Sequence, residues 1–168
     1  MQVRVQTFAG PTAATLSVAT SEIAGVEMIV AAGFLPADEL LQRYGLERTD
    51  CELGGVADQI VQWQAGRRAS ADLPIWQDGS TFQRQVWNAI GDIPSGETAT
   101  YGEIAASIGR PGAARAVGTA CGQNRVAPFI PCHRVVPASG GVGSYGYGSA
   151  LKSALLALEE LPSPASAD

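Results

Sequence analysis

The chain has 168 residues and a single histidine, and that histidine directly follows a cysteine in Pro131-Cys132-His133-Arg134. A free thiol ionises near pH ~8.5, so little thiolate exists at neutrality without a base or a positive field. His133 offers the base and Arg134 the field, and Pro131 restricts the backbone ahead of them. In an extended segment successive side chains point to opposite sides, so a relay between Cys132 and His133 needs a sharp bend or a bridging water. A cysteine in an apolar stretch is otherwise a small buried hydrophobe. Cys51 and Cys121 take that reading. For Cys132 the residue chemistry alone leaves nucleophile and buried hydrophobe both open.

Composition narrows the classes. Hydrophobic residues make up 46% of the chain and charged residues 16%, which predicts a packed core. Three scattered cysteines and one histidine give no CxxC pair and no finger-like spacing. Neither a disulfide framework nor a structural zinc site is expected. No run of eighteen apolar residues suggests a membrane span, and no basic segment with an apolar core suggests a signal peptide. A reducing, cytoplasmic setting is the expectation. The net charge of −5 sits awkwardly with nucleic-acid binding, which draws on Lys and Arg meeting phosphates. That charge is uneven. Residues 1–75 hold five basic and nine acidic side chains, whereas residues 76–160 hold six of each. A local basic face is still available in the second part.

The positioning elements follow from periodicity and punctuation. Residues 2–8 and 13–20 read as a hairpin about Gly10-Pro11, with a third strand over 23–31. Pro36 opens a short helix to Tyr44, and a second runs from about Leu53 to Ala65, stopped by Gly66. Residues 67–79 read as a linker with an extended piece at 73–76. Phe82, Val86, Trp87 and Ile90 mark the buried face of a helix, followed by a turn at Pro94-Ser95-Gly96. Thr100-Tyr101-Gly102-Glu103 is a capping box that opens a helix ending at Gly109. Pro111 starts the next helix, through Cys121, and the pair reads as a helix-turn-helix. A last helix covers 149–160. The expected division is a small α/β domain over 1–75, a helical domain over 76–162 and a disordered tail over 163–168.

The stretch from Asn124 to Val136 resembles the active-site segment of the O6-alkylguanine-DNA alkyltransferase family. Phe82-Gln83, Val86-Trp87, Ile93-Pro94-Ser95-Gly96-Glu97-Thr98 and Tyr101-Gly102-Glu103-Ile104-Ala105 recur in that family's order. Ala113-Ala114-Arg115-Ala116-Val117-Gly118 is similar to its DNA-recognition helix, and Gly143-Ser144-Tyr145-Gly146, Lys152, Leu155-Leu156 and Glu159 continue the match. The resemblance covers about residues 80–160 strongly and 1–75 weakly. It implies an α+β fold: an RNase H-like α/β domain, then a mainly helical, winged-helix-like domain with a helix-turn-helix.

The resemblance also implies roles. Cys132 would accept the alkyl group. His133 would act as base through a water, held by Glu159, while Asn124 braces the segment. Tyr101 would donate to guanine N3, making neutral guanine the leaving group, and Lys152 would lie near the pocket. The carbonyls of Cys132 and Val135 would accept from the guanine amino group, with Tyr145, Gly146 and Tyr147 lining the pocket. An alkyl group on O6 lies inside the duplex, so the base must be flipped out. Ala113, Ala114 and Gly118 would let the helix lie on the minor-groove floor, and Arg115 would fill the gap left by the flipped base. Arg125 and Arg134 would add contacts to DNA. No metal or organic cofactor is implied, and the protein would act as a monomer on double-stranded DNA.

Departures from the family pattern keep other readings in view. Arg125 stands where the family commonly has proline, and Tyr147-Gly148 where two glycines are common. With the acidic charge, these leave room for a cysteine-dependent enzyme acting on a small molecule. A DNA-binding module with a structural Cys132 is the third reading.

Overall fold

The structure, a computed structural model, describes residues 1–160. The tail expected over 163–168 lies outside the described residues. These fall into two compact units. Among the described residues, the first comprises Met1–Gln77 together with Arg125–Phe129, and the second comprises 78–124 with 130–160.

In the first unit, alternating Val, Thr and Phe side chains build strand β1 (Gln2–Ala9) and strand β2 (Thr15–Ile23). They pair antiparallel in a register running from Arg4↔Thr20 to Ala9↔Thr15. β2 pairs antiparallel with β3 (Val26–Gly33), with a bulge between Ala19 and Thr20. The third strand begins at Val26 and not at residue 23, because Ala24 (φ 51°) and Gly25 (φ 80°) make a tight turn of the kind that joins antiparallel strands. Helix α1 (Ala37–Tyr44) stops at Gly45, whose left-handed φ of 61° suits a residue without a Cβ. A two-residue strand β4 (Glu47–Arg48) then pairs parallel to β1, giving the sheet order β3-β2-β1-β4. Helix α2 (Gly55–Gln64) follows. Val3, Ala19, Val30, Ala31, Leu40 and Leu41 form a core between α1 and the sheet. The extended piece expected at 73–76 exists. Ile29 and Ile75 bridge in parallel, with hydrogen bonds from the Ile29 N–H to Pro74 and from the Trp76 N–H to Ile29.

In the second unit, α3 (Thr81–Gly91) opens on a capping box of Ser80 and Gln83, and α4 (Tyr101–Ser107) on the expected one of Thr100 and Glu103. Helix α5 spans Ala114–Gly122. It does not begin at Pro111, because Gly112 has φ 94° and the chain turns there before becoming helical. Two-residue strands β5 (Ala99–Thr100) and β6 (Val135–Val136) pair in parallel, and α6 spans Ser149–Glu160. Val86, Ile90, Ile93, Ile104, Ala105, Val117, Ala120 and Val135 make the core. The buried indole of Trp87 donates to the Ala120 carbonyl at 2.9 Å, satisfying an acceptor near the end of α5. A Cβ on Gly79 would stand 2.6 Å from that ring, so the approach to α3 requires glycine there. The described residues include no helix long and apolar enough to cross a membrane.

Candidate active site

Cys132, His133 and Arg134 form one turn of 3-10 helix, not an extended segment. The backbone therefore turns sharply at these residues. Pro131, held at φ −82°, leads into it, and β6 leads out.

His133 is buried, and its Nε2 lies 2.7 Å from Oε1 of Glu159 on α6. A carboxylate acceptor places the ring proton on Nε2, leaving the Nδ1 lone pair as the basic site of the neutral ring. Nδ1 is buried and finds no partner among the described residues. Burial alone would raise the Glu159 carboxyl. Hydrogen bonds from His133 and Arg134, with the charge of both, outweigh it and pull the pKa to about 2. Arg134 grips Glu159 as a fork: Nε donates to Oε2 and Nη2 to Oε1, both at 2.9 Å. Its Nη1 donates to the Ile93 carbonyl at 2.6 Å, and only 12% of the side chain is exposed. The structure thus places Arg134, expected toward DNA, in the ion network behind the histidine.

Cys132 keeps a partly accessible surface. Burial by the surrounding protein raises its thiol pKa, while the Asn124 amide and the charge of Lys152 pull the other way. Asn124 Nδ2 donates to the Ile130 carbonyl at 2.8 Å and to Cys132 Sγ at 3.2 Å. Lys152 has no exposed surface, and its ammonium donates to the Val135 carbonyl at 2.6 Å and the Ser144 carbonyl at 3.3 Å. Burial lowers its pKa, and the neighbouring thiols act against that shift. A net raised thiol pKa leaves the sulfur protonated at neutrality, so reaction requires a base to take the proton.

The remaining expected residues divide. The Tyr145 ring stands edge-on to His133, centroids 6.4 Å apart, and edge-on to Tyr147 at 5.4 Å. The Tyr145 hydroxyl is buried without a partner among the described residues, and burial raises its pKa. Tyr101 opens α4 with its ring beside Gly118, where a Cβ would lie 3.8 Å away, and its pKa is raised by burial and then by the thiols of Cys121 and Cys132. Val135 contributes the carbonyl that Lys152 already holds. Gly146 is exposed in the following loop. On α5 and its approach, Arg115 and Ala116 are exposed, Ala113, Ala114 and Gly118 are half-buried, and Val117 faces the core. Arg125 belongs to the first unit. Sequence reasoning missed the carbonyls of Ile93, Ile130 and Ser144. Backbone acceptors carry no residue-type signal by which they could have been found.

Comparison with known proteins identifies the family. Residues 81–161 match the family model described as 6-O-methylguanine DNA methyltransferase, DNA binding domain. The methylated-DNA–protein-cysteine methyltransferase of Mycolicibacterium paratuberculosis is 48% identical over 124 residues, 74% of this chain and 75% of that protein. The crystal structure of Mycobacterium tuberculosis OGT in complex with DNA superposes with a TM-score of 0.76 at 38% identity, covering 95% of this chain and 93% of that one. A Pyrococcus kodakaraensis O6-methylguanine-DNA methyltransferase shares the fold, with a TM-score of 0.69 at 20% identity over 95% of this chain and 99% of that one. The chain belongs to the methylated-DNA–protein-cysteine methyltransferase family.

Proposed function

We propose that the protein repairs DNA directly, moving the alkyl group of O6-alkylguanine onto Sγ of Cys132, one lesion per molecule. Family membership carries the reaction class. The observation that carries the site is the 3-10 turn that sets Cys132 beside a buried His133 whose Nε2 is held by Glu159 and whose Nδ1 is left as the basic atom. In the step, the thiol proton passes by way of a bridging water to Nδ1. The sulfur attacks the alkyl carbon, an S–C bond forms and the C–O6 bond breaks. The Tyr101 hydroxyl donates its proton to guanine N3 as the C–O6 bond breaks, so that neutral guanine departs, and Tyr101 is reprotonated through solvent by the proton that His133 took from the thiol. Glu159 stabilises the imidazolium as it forms. Asn124 and Lys152 favour the thiolate, the first by donating to sulfur and the second by its charge.

DNA is the partner. In this reading α4 and α5 act as a helix-turn-helix in a winged-helix-like domain, and the first domain is RNase H-like. Exposed Arg115, among the small residues Ala113, Ala114, Ala116 and Gly118, suits insertion from the minor groove behind a flipped base. Tyr145, Gly146 and Tyr147 line the pocket. A monomer suffices, and a cytoplasmic setting keeps Cys132 reduced.

The test is a mass measurement after mixing with duplex DNA carrying O6-methylguanine. One methyl gained on the Cys132 peptide, and none in Cys132→Ala, is the expected result. Binding without gain would leave a DNA-binding module. Neither binding nor gain would leave thiol chemistry on a small molecule, the reading that the acidic charge and Tyr147 favour.

A further inference from the structure

We infer that Arg125 is a positioning residue: its ties within the first unit fix the peptide next to Asn124, and so set the Asn124 amide against the Cys132 sulfur. The inference rests on Cys132 being the reactive thiol.

The sequence alone sends Arg125 to DNA phosphates, but its surroundings assign it other work. Its guanidinium carbon lies 4.7 Å from the centroid of the Tyr44 ring, and Nη2 donates to the Tyr44 carbonyl at 3.4 Å. Nε is buried, with no partner among the described residues. The backbone N–H donates to Gln77 Oε1 at 3.1 Å, and the carbonyl accepts from the Ala32 N–H at 2.7 Å. Side chain and both backbone groups are therefore engaged by α1, β3 and the strand-like piece before residue 78. A planar guanidinium stacked on an aromatic face is a fixed geometry that lysine does not reproduce.

Asn124, covalently next to Arg125, donates to the Ile130 carbonyl and to Cys132 Sγ. The five residues between Asn124 and Ile130 all belong to the first unit. Arg125 anchors their start. Phe129 anchors their end, its ring edge-on to Trp63 with centroids 4.9 Å apart. Releasing Arg125 frees the φ and ψ angles that aim Asn124, and with them the side-chain N–H that Asn124 directs at the thiol.

The experiment uses the full chain with Arg125→Ala, Arg125→Lys, Tyr44→Leu and Tyr44→Phe. The first readout needs no DNA: the pH dependence of Cys132 alkylation by iodoacetamide, followed on the Cys132 peptide. Losing the Asn124 donor disfavours the thiolate, so the midpoint should move up in Arg125→Ala, Arg125→Lys and Tyr44→Leu and stay in place in Tyr44→Phe. The second readout is methyl transfer at saturating O6-methylguanine duplex, expected to fall about tenfold in the same three variants. The third is the salt dependence of DNA binding, whose slope should not change. A phosphate contact would instead reduce that slope by about one in Arg125→Ala and leave Arg125→Lys near the parent. An unmoved iodoacetamide profile in Arg125→Lys and Tyr44→Leu overturns the proposal, whatever transfer does. Absence of transfer in the parent protein overturns the DNA reading alone, because the thiol profile is read without DNA. If Arg125→Ala does not fold, the Tyr44 pair and Arg125→Lys decide.

Discussion

Two carboxylates, Glu27 on β3 and Glu159 on α6, are both drawn below the usual carboxylate range against the effect of burial. Their partners differ in kind. Glu27 accepts from the backbone N–H groups of Gly54 (2.9 Å) and Val56 (3.4 Å), from the Thr20 hydroxyl (2.8 Å) and from Arg4 (3.4 Å). It closes the N-terminus of α2 from another strand, satisfying donors that the helix leaves open. A Cβ on Gly54 would stand 2.8 Å from its carboxylate, so glycine is needed for that approach. A cleft of about 430 Å³ even opens beside it, lined in part by Val56, Leu73 and Pro74. Glu159 has one partner, His133, that can itself gain a proton at a second atom. A low carboxylate pKa beside a cleft therefore does not mark chemistry. A low carboxylate pKa relayed through a histidine to an unpartnered nitrogen does.

Substitutions can break this contrast. The largest effect is expected from His133→Phe, which removes the base. Methyl transfer at saturating DNA, followed by rapid quench and peptide mass, should slow by about 10²–10⁴-fold. An undiminished rate would show that the thiol loses its proton by another route. Glu159→Gln keeps the shape but removes the charge that stabilises the imidazolium, and should slow transfer on the order of 10²-fold. Glu27→Gln is the opposite case. Loss of the charged helix cap should cost about 1–2 kcal/mol in denaturant unfolding, with the transfer rate unchanged. A slowed transfer in that variant would erase the distinction.

Acid titration sharpens the contrast least but tests both groups together. Each carboxylate has a folded pKa below the ordinary 4.5, so each contributes stability that is present above that value. That contribution is lost as pH falls through the folded value, which for Glu159 is about 2. Acid unfolding of the parent protein should therefore begin at lower pH than that of either Gln variant. Coincident curves would show that neither charge supports the fold.

Much of this architecture was legible in the residues, and the rest fails for definite reasons. The hairpin, the helices and the Thr100–Glu103 capping box depend on local patterns, and they appear close to where those patterns put them. Strands β4, β5 and β6 have two residues each and owe their existence to distant partners, so no window of sequence reveals them. Pro111 gave a correct helix-start signal at the wrong place, because Gly112 takes a backbone conformation outside the helix. At the site, residue type pointed to Cys132 and His133. It could not distinguish an arginine that faces solvent from one folded onto a carboxylate, and Arg134 and Arg125 both turned inward to partners 25 and 81 residues away in sequence. Glu27 drew no attention, because the helix it caps begins far along the chain from it.

The excursion of Arg125–Phe129 into the first unit bears on how the molecule is made. Ala32 pairs with Val126, and Phe129 packs against Trp63, so the N-terminal unit lacks part of its own interior until those five residues exist. A chain leaving the ribosome must emit most of its length before that interior can close. Folding of the N-terminal unit is thus tied to synthesis of the segment that runs straight on into the reactive thiol, and a protein broken off before residue 129 lacks both the means to complete its first half and the cysteine it would carry to damaged DNA.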